Sequence, residues 1–396
     1  MSNYTNRSPS ESNLQEPSSA TEVSSSGALA VQLTSVFSVY YTPLLVLFGS
    51  LGNITSIYVF YNSKLRLQST SQYLTALALS DSVFLWQLLP PWLNAVHITT
   101  IFHYSGFCQA FVYTSYVTCC LSAWLVVAFT TERYVAVVYP LRRHMLCTVN
   151  RARHVIVALA TGAFIVNAPV ILYAVGSESD CNIDIELEEH AARFNMVDTA
   201  LTFTMPLTLI VLLNVCIMIG VSRLERARRL LVRTQRTNGS RQPPNGTSGV
   251  RAQHHVTRML LLVSTMYVVF NLPAYTIRLL AYNTDEVSNW WAALQQLATL
   301  FFNTNFGINF FLYCLSGQNF RNALYVSVPW MRNKARRSNA VRLTKSKMGA
   351  IIATGAFFQV RMDIGNYSIF TLDTNYRYML HNQHRYIIYL QLRSRC

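Results

Sequence analysis

Long neutral, apolar runs separated by short polar connections dominate the chain, and their length sets the first expectation. From Gln109 to Thr131 no residue is charged. At 1.5 Å rise per residue, such a run crosses the roughly 30 Å hydrocarbon core of a bilayer as one helix. Comparable runs lie at about Val36 to Tyr61, Ser71 to Leu93, His154 to Tyr173, Phe194 to Val221, Met259 to Leu280 and Trp291 to Leu315. Together with the stretch from Cys108 to Leu141 they predict an all-α membrane protein, a seven-transmembrane helix bundle over residues 36–316. Pro90-Pro91 predicts a kink at the outer end of the second run, and Pro206 and Pro273 fall inside the fifth and sixth. After Gly317, Phe320, Leu324 and Val328 recur at four-residue steps beside Arg321. That pattern predicts a short amphipathic helix over 317–330, lying on the inner membrane surface.

Composition agrees with the pattern. Hydrophobic residues make up 52% and charged residues 12%, about half the charged share of soluble domains. The formal charge of +15 raises nucleic-acid binding as an option, and the placement of the charges rejects it. Lys64 and Arg66, then Arg142, Arg143, Arg151 and Arg153, then Arg223 through Arg258 and the final tail occupy alternate connections, while the others are neutral or acidic. By the positive-inside bias the basic connections are cytoplasmic, so the N-terminus is outside and the number of spans odd. No basic-then-apolar leader opens the chain, and the first span is expected to act as its own insertion signal. Residues 1–35, rich in Ser, Asn, Glu and Pro, read as a disordered extracellular tail with glycosylation sequons at Asn3 and Asn6. Residues 331–396 read as a cytoplasmic tail. Its last part, from Met348, is rich in Tyr, Ile and Asn without a run long enough to span, and reads either as a folded or membrane-leaning segment or as translated intron.

Of the 8 cysteines, five (Cys119, Cys120, Cys147, Cys216 and Cys314) fall in spans or on the cytoplasmic side. Cys108 and Cys181 alone lie on the oxidising side, where bridges form, and are expected to pair. On the third run Ser115, Cys119, Ser122, Val126, Phe129 and Arg133 follow at steps of four and three and so share one helix face. Small and polar groups on that face suit a helix at the centre of a bundle. Asp81 sits mid-span, where a carboxylate is expensive unless solvated, paired or protonated. Ser122, Asn305 and Asn309 offer it oxygen neighbours. Either a sodium ion or water is held there, or a protonated aspartate bonds to the same groups.

Cys108 opening the third span, Glu132-Arg133-Tyr134 closing it, and Asn309-Phe310-Phe311-Leu312-Tyr313 in the seventh resemble the motifs of rhodopsin-like G-protein-coupled receptors. The stretches TERYVAVVYPLRR and NFFLYCLSGQNFR look like those of peptide receptors, particularly invertebrate neuropeptide receptors of the FMRFamide-receptor kind. The resemblance implies a plasma-membrane receptor for an extracellular peptide, coupled to a heterotrimeric G protein through Glu132, Arg133, Tyr134, Asn309 and Tyr313. It also implies a sodium site around Asp81, Ser122, Asn305 and Asn309. The chain departs from the family pattern at Phe310 (proline in the family), Asn271 (tryptophan) and Asn214 (tyrosine). No acid stands at the start of span six, where Arg251, His254, His255 and Arg258 are found. Span seven has no lysine for a retinal Schiff base. Ser115 stands where amine receptors carry an aspartate.

No nucleophile–base or metal set lies outside the membrane, so an enzyme is not expected. A small-solute transporter or channel is the rival reading; it would use Asp81 and the polar span residues, but repeat symmetry is not evident. The ligand residues expected are Trp92, Tyr113, Ser115, Tyr116, Cys119 and Tyr275, with Glu186 and Glu188 from the second outer loop and Arg278 at the end of span six. Glu178, Asp180, Asp184, Glu186, Glu188 and Glu189, with Asp285 and Glu286, either form solvated surface or steer a cationic ligand, such as an amidated peptide carrying arginine, to the bundle mouth.

Overall fold

The computed structural model describes residues 18–98, 104, 106–176, 181–237, 247–281, 288–327, 361–363 and 387–389. Helix α1 (Ser18–Asn62) is followed by a 3-10 turn, Lys64–Leu67, capped by the Ser63 hydroxyl, and then by α2 (Ser69–Gln87) and α3 (Leu89–Ala95). The break at Leu88 is where Pro90-Pro91 requires it: both prolines sit in the first turn of α3, where a missing N–H costs nothing. Helix α4 (Phe107–Val138) starts from Gly106, whose φ of 80° is one that glycine adopts without strain. Next come α5 (Arg143–Leu146), α6 (Val149–Asn167) and α7 (Val170–Tyr173), the last two separated at Ala168-Pro169.

A hairpin of β1 (Ala174–Gly176) and β2 (Cys181–Ile183), paired Gly176 to Cys181, leads into α8 (Glu188–Asp198). A π-helical segment, Thr199–Thr204, joins α8 to α9 (Met205–Thr237). It ends just before Pro206, and the Met205 N–H reaches back to the Ala200 carbonyl. Proline cannot donate to the helical ladder, and the wider turn absorbs the misfit. Helices α10 (Thr247–Ala281), α11 (Asn289–Ser316) and α12 (Gln318–Ser327) complete the bundle.

Five stretches among the described residues are long and apolar enough by themselves to cross a membrane: Ser26–Asn62, Phe107–Val138, Val149–Tyr173, Ile185–Ala227 and Val256–Ala281. The other two bundle members, α2 and α11, are more polar, and they turn that polarity inward. Thr70, Ser80 and Asp81 on α2, and Asn303, Asn305 and Asn309 on α11, are buried. Helix α1 packs on α2 and α11, α4 on α2, α6 and α9, and α10 on α9 and α11. Phe320 and Leu324 of α12 are buried, with the Phe320 ring against Phe60 and Tyr313.

The seam between α1 and α11 is unusually close. A Cβ on Gly49 would lie 2.9 Å from the Gly307 Cα, and one on Gly52 would lie 2.8 Å from the Phe310 Cβ. Nearby, Asn53 donates to the Phe306 carbonyl (2.9 Å) and is fully buried, so its sequon is structural. Phe310 therefore has a packing role: it fills the space that Gly52 leaves, and α11 runs helically through it.

One expectation needs correcting. Residues 18–35 are helical and continue α1, whereas the tail was expected to be disordered as far as residue 35. The reason is packing: Gly27 lies against Asn289 and Trp290, and both Thr34 and Ser35 donate to Gln296, so α11 supports the extension. Asn3, Asn6, Glu178, Asp180, Asp285, Glu286 and Val328 lie outside the described residues. A second compact unit, Val328–Cys396, contains an antiparallel pair of β3 (Arg361–Asp363) and β4 (Ile387–Tyr389). The rest of the expected tail is outside the described residues.

Candidate functional site

One face of α4 connects three polar sites. At its Cys108 end the helix is tied by the Cys108–Cys181 disulfide to β2. Beneath that tie lies a cavity of about 560 Å³ between α4, α8, α10 and α11. Ser115, Tyr116 and Cys119 line it from α4, and Arg278 from α10. Asn195 and Asp198 complete the polar wall from α8, with Thr202 below them. Asp198 was not singled out from sequence. It is buried, accepts from Arg278 Nη2 at 3.1 Å through one oxygen and from the Thr202 hydroxyl at 2.8 Å through the other. Arg278 also donates to the Asn195 side-chain oxygen and stands 5.3 Å over the Phe203 ring. The cavity wall thus carries one cation and one anion, already paired.

Three expected ligand residues are placed elsewhere. Trp92 donates its indole N–H to the Val39 carbonyl of α1 (2.8 Å), and the Tyr113 hydroxyl donates to the Phe164 carbonyl of α6 (2.9 Å). The Tyr275 hydroxyl meets Thr204 Oγ1 at 3.0 Å. None of the three lines the cavity. Their polar tips bind partners between helices, which an aromatic residue on a span commonly does. Glu186 and Glu188 are exposed in the loop outside the cavity, and the neighbouring Glu189 pairs with Arg193 at 3.2 Å.

Two turns further along the same face, Ser122 donates to Asp81 (2.7 Å), and Asn309 donates to the other carboxylate oxygen (2.7 Å). Ser80 joins through the Ser122 hydroxyl at 3.0 Å. Asn305 is buried one helical turn from Asn309. A carboxylate and two hydroxyls are the oxygen chemistry a hard cation prefers, but Asn309 turns its amide N–H to Asp81, so a small cation would be held by Asp81 and Ser122 with the Asn309 amide turned over.

At the far end of the face, Arg133 and Glu132 form a buried pair at 2.6 Å. Thr70 of α2, which sequence reading also missed, closes the group: its hydroxyl donates to the same Glu132 oxygen (2.6 Å) and accepts from Arg133. Tyr134 is not part of it; its ring packs edge-on against Tyr139 at 6.1 Å. Tyr313 is fully buried among Phe60 and Phe320. Between the cavity and this triad, Ser264 of α10 donates to Asn214 of α9 at 2.9 Å, in a buried position.

A tethered cavity at one end and a buried group of Arg133, Glu132 and Thr70 at the other thus lie along one helix. The family model for the "7 transmembrane receptor (rhodopsin family)" matches residues 52–313. The chain belongs to the rhodopsin family of seven-transmembrane receptors. It is therefore a multi-pass membrane protein and a receptor, and no enzyme.

Relatives of this receptor include a Gq-coupled rhodopsin of Mizuhopecten yessoensis, 25% identical over 74% of this chain and 59% of its own length. The thyrotropin-releasing hormone receptor of Gallus gallus is 23% identical over 69% of this chain and 74% of its own. The somatostatin receptor type 3 of Mus musculus is 27% identical over 58% and 54%. The similarity to a rhodopsin stops short of its chromophore chemistry, because α11 contains no lysine.

Proposed function

We propose that this receptor sits in the plasma membrane with its N-terminus outside, binds an extracellular peptide in the cavity beneath Cys181, and activates heterotrimeric G proteins through the Arg133 end. The observation that carries the reading is the shared α4 face, which runs from Ser115 in the cavity to Arg133 in the triad. The orientation is supported by the disulfide at one end and the basic connections at the other. Relatives named as receptors for thyrotropin-releasing hormone and somatostatin support a peptide as the ligand class.

The cavity wall offers amide and hydroxyl groups (Asn195, Gln295, Thr299, Ser115) around a pair whose charges cancel. That chemistry suits a carboxamide end, which both donates and accepts, better than a free carboxylate. A basic side chain would lie outside, towards Glu186 and Glu188. A small cation held by Asp81, Ser122 and Asn309 would add a fixed positive charge to the centre of the bundle; the same residues anchor α2, α4 and α11 to each other. Agonist binding shifts the equilibrium between a state with the Thr70–Glu132–Arg133 triad closed and one with Arg133 released.

The test is nucleotide exchange on purified G proteins, driven by a panel of synthetic peptides made both as carboxamides and as free acids. Amidated members should activate, and Arg133→Ala should abolish the response at matched surface density while binding persists. Full signalling by Arg133→Ala would sink the role given to that residue. Ligand-evoked current without nucleotide exchange would replace the receptor reading with a channel.

A further inference from the structure

A second large cavity lies on the opposite side of α4, at the Arg133 end. It is a groove of about 630 Å³ between α4 and α6, opening on the bundle's outer face. Trp124, Val127, Val155 and Leu159 form its walls, and Arg151 and His154 its rim. The Trp124 indole N–H is already committed to the Leu201 carbonyl (3.1 Å), so that side chain presents only ring to the groove. Thr131 bonds back to Val127 and likewise offers little polarity. From Arg151 to Leu159 the groove rises eight residues, roughly 12 Å at 1.5 Å per residue. That is close to the depth of hydrocarbon in a single leaflet, about 15 Å.

The rim carries one cation, Arg151, without a countercharge; beside it, His154 Nδ1 meets the Asn150 carbonyl at 2.7 Å and leaves Nε2 towards the rim. No carboxylate lies within ion-pair distance of Arg151 among the described residues, and its guanidinium makes only a 3.4 Å contact to the Met145 carbonyl. Glu132, the one acid bordering the groove, is already neutralised by Arg133 and Thr70. An apolar slot one leaflet deep, closed at its mouth by an unmatched guanidinium, is complementary to an anionic amphiphile.

We infer that the α4–α6 groove is a binding site for an acidic phospholipid, with one acyl chain along Trp124 and Leu159 and the phosphate at Arg151 and His154. The placement in the cytoplasmic leaflet rests on the proposed orientation; the binding itself does not depend on the peptide or on the G protein. Glu132 lines the groove, so an occupied site places lipid against one member of the Thr70–Glu132–Arg133 triad.

The test is native mass spectrometry of the full chain, without agonist, released from nanodiscs of phosphatidylcholine containing a minor share of phosphatidylserine. A retained phosphatidylserine adduct is expected. Losing the charge-assisted contact of Arg151 in Arg151→Gln should lower it about tenfold. Leu159→Trp, which fills the slot and leaves the rim intact, should also lower it, whereas Arg142→Gln, outside the groove, should not. An adduct that survives Leu159→Trp is headgroup adsorption and overturns the site. So does equal loss in Arg142→Gln, which would show diffuse surface charge, or displacement by cholesterol in the wild-type chain, which would make the groove a sterol site. Should a variant fail to fold, the wild-type thermal midpoint decides: it should rise in phosphatidylserine discs over phosphatidylcholine alone, and no rise refutes the proposal.

Discussion

The two ends of the bundle use the same ingredients, an arginine, a carboxylate and a small hydroxyl residue, and connect them differently. At the cavity end the pair bridges helices: Arg278 of α10 meets Asp198 of α8, with Thr202 in support. At the other end Glu132 and Arg133 are neighbours on one helix, and the added link, Thr70, comes from α2. No acidic residue occurs anywhere in α10. Helix α10 is therefore pinned by charge near the ligand cavity and pinned by the Ser264–Asn214 bond near its middle, but it has no carboxylate to offer Arg133. Held at those two points, the rest of α10 can shift only by bending or by losing one of them. The contrast places the ionic tie on α10 at the cavity end, and ties Arg133 to α2 instead.

The largest effect should come from loosening the cavity end altogether. Cys181→Ser opens a loop with a sequence separation of 73, a change worth roughly 2–4 kcal/mol in typical cases. Surface expression and binding should both fall; a variant that keeps both at wild-type levels would show that the fold does not depend on that tie. Next in size is Asp198→Asn, which leaves Arg278 without its anion. The Arg278 side chain is 27% exposed, so water softens the loss, and about 1–3 kcal/mol is expected. Adding Arg278→Gln should restore most of the thermal midpoint without restoring agonist affinity. Strict additivity of the two substitutions would show that the pair is not coupled.

How much of this was legible follows from the range of each interaction. Cys108–Cys181 and Asp81 with Ser122 and Asn309 could be read from residue type and depth in a span. A buried carboxylate must find partners, and few polar residues shared its depth. Thr70, Asp198 and the Ser264–Asn214 bond were not legible. Each depends on which way a helix is rotated, and nothing in sequence marks Thr70 apart from Thr75, the other threonine of α2. Trp92, Tyr113 and Tyr275 show the converse: a polar aromatic near the right end of a span can spend its polar tip on a neighbouring helix, as these three do, and residue type alone does not say so. The start of α1 was misplaced because its extension from Gly27 to Ser35 is marked by contacts with α11, at Asn289, Trp290 and Gln296, and not by an apolar pattern of its own.

A smaller effect tests the mid-helix tie. Ser264→Ala removes one buried hydrogen bond of about 1 kcal/mol net, so agonist-free signalling should rise about fivefold. Unchanged basal activity at equal surface density would remove that bond from the account and leave packing alone to hold α10. The smallest effect should come from neutralising Glu186, Glu188 and Glu189 together, since all three are exposed. Agonist association should slow modestly at low ionic strength and hardly at all at high salt. If association rate and its salt dependence both stay at wild-type values, the acidic loop is solvated surface only.

The glycine seam bears on how the molecule is made. Asn53 and Phe306 are 253 positions apart in the chain, so the ribosome delivers one face of the seam long before the other. Gly49 already meets Leu85 of α2, but until α11 is threaded into the bilayer Gly52 and Asn53 lack the partners described for them, Phe310 and the Phe306 carbonyl. Closure of the ring is accordingly a late event in biogenesis, and one that is sensitive to an added methyl group where backbone meets backbone: Gly49→Ala would set its Cβ 2.9 Å from the Gly307 Cα. Such a lesion would strike nascent chains awaiting closure, so it should surface as retention by the quality-control machinery of the endoplasmic reticulum before any defect in signalling could be measured.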